Sequence, residues 1–402
     1  MRIYVIEPLG QGGLIHYSYH MCRALQREGA DVMLITSTDY ELEHLDHEFT
    51  LNKFLKLWNA RQKNKLSGFA KLLQRGGRGI RYVTEWLRLL NFLRKEKPDF
   101  ILLGEIRFEF EHRFLKMLKN SGLLLADVVH DVRTYDVTSG SDSILQEDEA
   151  HLKAYDRIYN LFDVLFVHDR INRDLFLELY TVAAERVFEI PHGANEIMLE
   201  MTPSHTAQQL RDMHGAAPEQ AVVLFFGTLT KYKGIEDLIK AFPAVQKATG
   251  ARLVIAGYPA KDIDVDELKA TAAAGGIADH VSWFLDYVPN EQVVPLMEMA
   301  DVVAMPYRAI SQSGILQIAY ACGSPVVATR VGGLPDVIED EKSGLLVEAE
   351  NPDDLAQGLI RAINDTAMRE AMGKRARELA ESRYSWRYVA SVVMKAMQEA
   401  QK

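Results

Sequence analysis

The chain has 402 residues, 48% of them apolar and 25% charged, and a formal net charge of −10. That length, against the roughly 150 residues of one ordinary domain, points to two domains, and the ordinary composition argues against disorder. Cys22 and Cys322 are too few and too far apart for a disulfide framework or a Cys-rich zinc site, which fits a reducing cytoplasm.

The first residues, Met1-Arg2-Ile3-Tyr4-Val5-Ile6-Glu7, read as a strand ending in an acid rather than as a signal peptide. No apolar run reaches the roughly 18 residues of a membrane span. Chain order then predicts a helix over 15–28, a strand over 32–36, a basic helical stretch, strands over 100–103 and 123–129 around a helix near 108–119, and strands over 163–167 and 187–190. Several of these strands are unbroken apolar runs, the pattern of parallel strands covered by helices on both faces. Irregular polar sequence from Glu196 to His205 marks a linker. Six further strands are expected, over 221–226, 253–256, 281–285, 302–305, 326–329 and 345–347. The expected fold class is α/β: two doubly wound, Rossmann-like parallel-sheet domains facing a ligand cleft.

Charge is distributed unevenly. Leu51 to Pro98 holds thirteen Lys or Arg against Glu85 and Glu96, a local balance of +11 that leaves −21 elsewhere. Phe54, Trp58, Phe69, Tyr82 and Trp86 interleave with these cations, so the segment is expected to meet an anionic membrane surface. A solvated helix face packed on the sheet is the competing reading. Nucleic acid is not expected, because the rest of the protein is acidic and no nucleic-acid motif occurs.

Five places carry chemistry. The small-residue loop Ser311-Gln312-Ser313-Gly314, between a strand and a helix-like segment, offers unpaired N–H groups and a helix dipole to a phosphate or diphosphate. Gly227 to Gly234 repeats this arrangement and adds Lys231 and Lys233. Gly12-Gly13 after the first strand reads as a close backbone approach to a ligand or as a plain tight turn. His130-Asp131 stands at the C-terminal edge of a predicted strand, where open α/β sheets bind ligands, so His130 reads as a contact to a sugar hydroxyl or as a structural histidine bonded to backbone, and His192-Gly193 is either a hinge or a ligand contact. Asp262, Asp264 and Asp266 imitate the start of a calcium loop, but Glu267 replaces its glycine and Ala272-Ala273 its closing acid, so a surface loop is expected. No nucleophile with a neighbouring base is recognisable.

With these pieces the chain resembles the retaining GT-B glycosyltransferases of family 4 (glycosyltransferase group 1). The resemblance rests on Gly12-Gly13, His130, Ile190-Pro191-His192-Gly193, Gly227 to Gly234, Ser313-Gly314, Ala319 to Val327 and Gly332-Gly333-Leu334-Pro335-Asp336. It implies an acceptor-side domain over 1–198, a nucleotide-sugar domain over 199–383 and a C-terminal helix, about 384–402, packing back on the first domain. It implies His130 and Lys233 as catalytic residues. Gly12, Gly13, Gly227, Thr228, Lys231, Lys233, Ser311, Ser313, Gly314 and Ile315 would bind the donor, with Asp131, His192 and Gln317 as further contacts and no metal ligand. No cofactor is implied beyond a UDP- or GDP-sugar donor. The acceptor would be lipid-linked or a saccharide, used in polysaccharide or glycolipid assembly by a peripheral enzyme on the cytoplasmic face of the membrane.

Two departures stand out. Thr228 occupies the family's usual arginine position, leaving Lys231 to replace that charge. Ile318 stands at the second position of the family's glutamate pair, with Ser311 about where the first would be. The missing pair keeps a catalytically silent partner protein open as an alternative, and a nucleotide-sugar epimerase is the other.

Overall fold

The structure, a computed structural model, describes residues 1–57, 68–132 and 149–402, with side chains described in all of these except 68–76. It divides into two compact units. The first runs from the N-terminus through Val132, resumes up to Gly193 and ends with Trp386–Lys402; Ala194–Ser385 belong to the second. The boundary at Gly193 falls a few residues before the expected one, and the return begins at Trp386.

In the first unit β1 (Arg2–Ile6), α1 (Gly13–Arg27), β2 (Asp31–Ser37), β3 (Thr50–Leu55), α2 (Gly68–Glu96), β4 (Phe100–Leu103), α3 (His112–Lys119), β5 (Leu124–Val129), α4 (Glu149–Tyr159), β6 (Val164–Val167), α5 (Arg170–Leu179) and β7 (Val187–Glu189) follow one another. The seven strands form one parallel sheet in the order β3-β2-β1-β4-β5-β6-β7. Phe100 to Leu103 and Val164 to Val167 are buried at every position, as strands covered on both faces require. The order reverses between β1 and β4, which makes their C-terminal ends this unit's switch point.

β3 corrects the expectation of helix throughout the basic segment. Thr50-Leu51-Asn52-Lys53-Phe54-Leu55 lacks a helical apolar stripe and pairs in parallel with β2 as an edge strand, where Lys53 remains wet and pairs with Glu43 at 2.6 Å. A second correction concerns the aromatic face. Tyr82, Trp86, Leu89, Leu90 and Leu93 of α2 are buried in the core of the unit, so these side chains have no surface left for lipid. Their period fits one helix face laid on the sheet, while Arg81, Arg88 and Lys95 point to water. Trp58 and Phe69, with Lys63, Lys65, Lys71 and Arg75, lie outside the residues or side chains described. No helix among the described residues is long and apolar enough to cross a membrane.

The second unit contains α6 (Ile197–Glu200), α7 (Ala207–Met213), β8 (Val222–Phe226), α8 (Ile235–Thr249), β9 (Arg252–Ala256), α9 (Val265–Ala274), β10 (Val281–Phe284), α10 (Asn290–Met299), β11 (Val302–Met305), α11 (Gly314–Cys322), β12 (Val326–Thr329), α12 (Leu334–Val337), β13 (Leu345–Val347), α13 (Pro352–Asn364) and α14 (Thr366–Glu381). Its six parallel strands are ordered β10-β9-β8-β11-β12-β13, reversing between β8 and β11. The chain then adds α15 (Trp386–Ala400), which packs on α1 in the first unit. Two parallel sheets, each wound by helices on both sides, make the GT-B fold.

Candidate functional site

In the second unit, β8 ends at Phe226 and the chain turns through Gly227 with φ +108°, a left-handed conformation that an L side chain rarely adopts. A Cβ on Gly227 would stand 3.0 Å from Lys233 Nζ and 3.3 Å from Ile315 Cδ1. Lys233 closes a short 3-10 turn, Lys231–Lys233, and Gly234 follows at φ 66°, its missing Cβ making room for the Pro306 carbonyl. From β11 the chain continues through Pro306 to Tyr307, whose ring lies 5.9 Å from Lys233 Nζ. Further along, Ser313 Oγ caps α11 by accepting from Leu316 N at 3.3 Å. Gly227, Lys233, Tyr307, Ser313 and Ile315 therefore converge where β8 and β11 diverge, the place at which open α/β sheets bind ligands.

The electrostatics of this cluster are one-sided. Lys233 is only 8% exposed, and burial alone pushes its ammonium down to about 8. No carboxylate pairs with it among the described residues. A buried cation without a counter-ion is costly, so the arrangement is complementary to an anion supplied from outside. Gly314, at the start of α11, is exposed and a Cβ there would meet nothing within 4 Å, which leaves backbone N–H groups of the first turn open to such an anion.

The remaining residues expected at the donor site differ in placement and in local partners. Thr228 and Lys231 are half-buried in the same turn, and Lys231 N donates to Asp262 Oδ2 at 3.0 Å. Asp264 accepts from Asp266 N and Glu267 N as the N-cap of α9, so two members of the acidic triplet have local structural work. Ser311 is buried, and its carbonyl accepts from Gly333 N at 3.2 Å. Gln317 is 1% exposed, and neither amide atom has a hydrogen-bond partner among the described residues. Ile318, at the glutamate position, is 7% exposed and takes its place in the apolar interior.

In the first unit, Gly12 has φ 98° at the N-terminus of α1, and a Cβ on Gly12 or Gly13 would meet nothing within 4 Å. Gly12 N donates to Glu41 Oε1 at 2.7 Å, and the same oxygen lies 3.1 Å from His16 Nε2. His130 leaves the end of β5 and its Nδ1 is 3.0 Å from His168 Nε2. Burial first, then His192, push the His130 imidazolium down to about 3; burial also lowers His192, to about 4, and His168 well below the usual range. All three rings are neutral at pH 7. Tyr17 meets them edge-on, with centroids 4.5 Å from His130, 5.6 Å from His168 and 5.2 Å from His192. Asp131 is exposed beside them.

Residues that sequence reasoning missed are Tyr307, Arg308, His168 and Glu7. Arg308 bonds Asp237 at 2.8 Å and Glu236 at 2.9 Å, fastening the loop after β11 to the first turn of α8. His168-Asp169 after Phe166-Val167 repeats His130-Asp131 after Val128-Val129, a signal that was available in the sequence. Glu7, fully buried at the β1 switch point, is raised to about 8 by burial and then by Glu105.

Comparison with known proteins adds family evidence to this geometry. Residues 207–379 match the family described as Glycosyl transferases group 1. An uncharacterized glycosyltransferase of Methanocaldococcus jannaschii is 31% identical over 242 residues, 60% of this chain and 60% of that one. The chain thus spans less than two thirds of that relative's length. The D-inositol 3-phosphate glycosyltransferase of Corynebacterium glutamicum is 28% identical over 315 residues, 75% of this chain and 73% of the relative. Among solved structures, Anabaena HepE in complex with UDP and glucose superposes with a TM-score of 0.73 at 19% identity, covering 99% of this chain and 100% of that one. At that identity the likeness speaks for the fold.

Proposed function

We propose, from the premise that residues 207–379 belong to the glycosyl transferases group 1, that the protein transfers a sugar from a nucleoside diphosphate sugar to an acceptor hydroxyl. The observation that carries this reading is Lys233, a buried ammonium without a carboxylate partner, facing the Gly227 turn and the capped start of α11. The bond between the anomeric carbon and the diphosphate oxygen breaks, and the electron pair leaves with the diphosphate. Lys233, with Lys231 beside it and the N–H groups near Ser313, Gly314 and Ile315, meets the charge that grows on that oxygen, so these contacts strengthen in the transition state. The acceptor oxygen attacks from the same face, its proton passes to the departing phosphate oxygen, and configuration is retained. The cationic charge already present on the protein makes a divalent ion at the diphosphate unnecessary.

His130, neutral at pH 7, is assigned to the hydroxyls of the transferred sugar, and UDP or GDP to the donor. HepE, with UDP and glucose bound, supports a uridine donor by analogy. The +11 segment supports an acceptor displayed at an anionic membrane surface, lipid-linked or saccharide, with the enzyme peripheral on the cytoplasmic face during polysaccharide or glycolipid assembly. Ile318, apolar at the glutamate position, favours a second reading in which the protein binds donor without turnover as partner to an active transferase.

A panel of UDP- and GDP-sugars tests the assignment by thermal unfolding, because a donor at 100 times its Kd stabilises the fold by about 2.7 kcal/mol. Donor hydrolysis or transfer, measured with chelator present, separates the enzyme from the silent partner. A panel in which no nucleotide sugar stabilises the protein sinks both readings.

A further inference from the structure

Three imidazoles meet in the first unit because neighbouring parallel strands deliver them to one sheet edge. His130 follows β5, His168 follows β6 and His192 lies just beyond β7. One nitrogen from each ring can be chosen so that all three lie within 4.8 Å of one another, and the His130–His168 pair is already at 3.0 Å. We propose that His130, His168 and His192 form a binding site for a divalent transition metal of the zinc, cobalt and nickel class.

Imidazole nitrogens at about 2.0–2.1 Å from a tetrahedral zinc stand roughly 3.4 Å apart. That spacing lies between the observed 3.0 Å contact and the 4.8 Å limit, so the three rings stand at separations one metal ion can span. An all-nitrogen donor set suits borderline metals and not magnesium or calcium, which take oxygen ligands. His192 Nδ1 lies 3.2 Å from the Gly193 carbonyl, the type of backbone partner that orients a ligating histidine and leaves its other nitrogen for the metal. Trp386 covers the same place: a Cβ on Gly193 would stand 2.4 Å from its ring, and Tyr17 packs 4.9 Å from it. A hydrogen bond between His130 and His168 engages two rings, whereas a metal engages all three. Ligation through His130 Nδ1, the nitrogen that faces His168, leaves Nε2 for the sugar hydroxyl assigned to that ring, so the metal site and the transferase reading are separable.

Cobalt(II) titrated into the chelator-treated full-length protein provides the test. One equivalent is expected to bind with the visible absorption of a nitrogen-ligated tetrahedral ion, and zinc is expected to displace it. His168→Ala and His192→Ala should each weaken binding by more than about 100-fold, since losing a ligand exceeds the 10- to 100-fold cost of losing an outer-shell partner. His16→Ala, another α1-side imidazole already engaged by Glu41, should leave the titration unchanged. Absence of the cobalt spectrum in the wild-type protein overturns the proposal, and so does binding that survives in both variants. Loss of donor stabilisation with cobalt binding intact counts only against the transferase reading.

Discussion

Lys233 links the electrostatics of one side chain to the donor use proposed for it. Its ammonium is lowered from 10.5 to about 8 by burial, so the folded protein binds fewer protons there than the unfolded chain between those two values. Stability contributed at this position therefore rises with pH from about 8 to 10.5, and at pH 7 the charge opposes folding. Lys233→Met is expected to preserve or raise the unfolding midpoint while lowering kcat/KM for the donor roughly 10- to 100-fold, the weight of a charge-assisted contact of about 1.5–3 kcal/mol. A folded variant with wild-type kcat/KM would remove Lys233 from the site. In the wild type, kcat/KM should decline above about pH 8 as free enzyme loses this proton.

The histidines give the opposite pH window. His130 and His192 are lowered from 6.5 to about 3 and about 4, so on acidification the unfolded chain takes up protons that the fold refuses. Stability is lost as pH falls below 6.5, until each folded value is passed. Urea unfolding between pH 6 and 4.5 should show His130→Gln with a shallower pH slope than wild type, by up to about 1.4 kcal/mol per unit. Comparing the two proteins cancels opposing terms from buried acids such as Glu7. Identical slopes would mean that His130 is solvated.

Turns and helix starts are the elements that shape the proposed phosphate cradle. Gly234 connects the lysine turn to α8 in the left-handed region, φ 66°, and a Cβ there would lie 1.8 Å from the Pro306 carbonyl oxygen. Backbone cannot yield as a flexible side chain can, so Gly234→Ala should cost more than about 1 kcal/mol and shift Lys233 and Tyr307 together. Differential scanning calorimetry would detect the loss, and an unchanged midpoint would show that the turn rearranges freely. Ser313→Ala removes the α11 cap, with an expected cost of about 1 kcal/mol. Ser313→Asp keeps a capping oxygen but places a negative charge beside the anion site. It should hold stability nearer wild type while weakening nucleoside diphosphate binding, which calorimetric titration would measure.

Over the whole molecule, charge is the property most at odds with local packing. The segment from Leu51 to Pro98 carries +11 within a chain of −10, yet Tyr82, Trp86 and Leu89 on α2 serve the core. The proposed attraction to a membrane would therefore come from cations rather than from these aromatics. Each Lys or Arg near an anionic surface contributes on the order of 1 kcal/mol, and salt screens it. Wild-type protein is expected to sediment with anionic vesicles at low ionic strength and to be released at high salt. Charge reversal at Lys63, Lys65, Lys71 and Arg75 should abolish sedimentation and leave donor binding intact. Wild-type protein that stays in the supernatant at low salt would end the membrane assignment.

The sequence by itself determined the features that depend on near neighbours. Unbroken apolar runs such as Val222 to Phe226 specified strands buried on both faces, alternation with amphipathic helices specified parallel sheets, and Gly227, Gly234 and Ser313-Gly314 marked the turns that carry the proposed phosphate site. These signals are legible because backbone conformation and helical or strand period act over a few residues. Tertiary structure decided what depends on strand order and on the surroundings of a side chain. His130 and His168 meet across 38 positions because β5 and β6 are adjacent, and His192 joins them from beyond β7. Lys233 lost its solvent, Ile318 joined the interior, and the aromatic face of α2 turned inward because each was enclosed by residues distant in sequence. Burial and juxtaposition are many-body properties of the packed chain, so they emerge only when both sheets are assembled and wound.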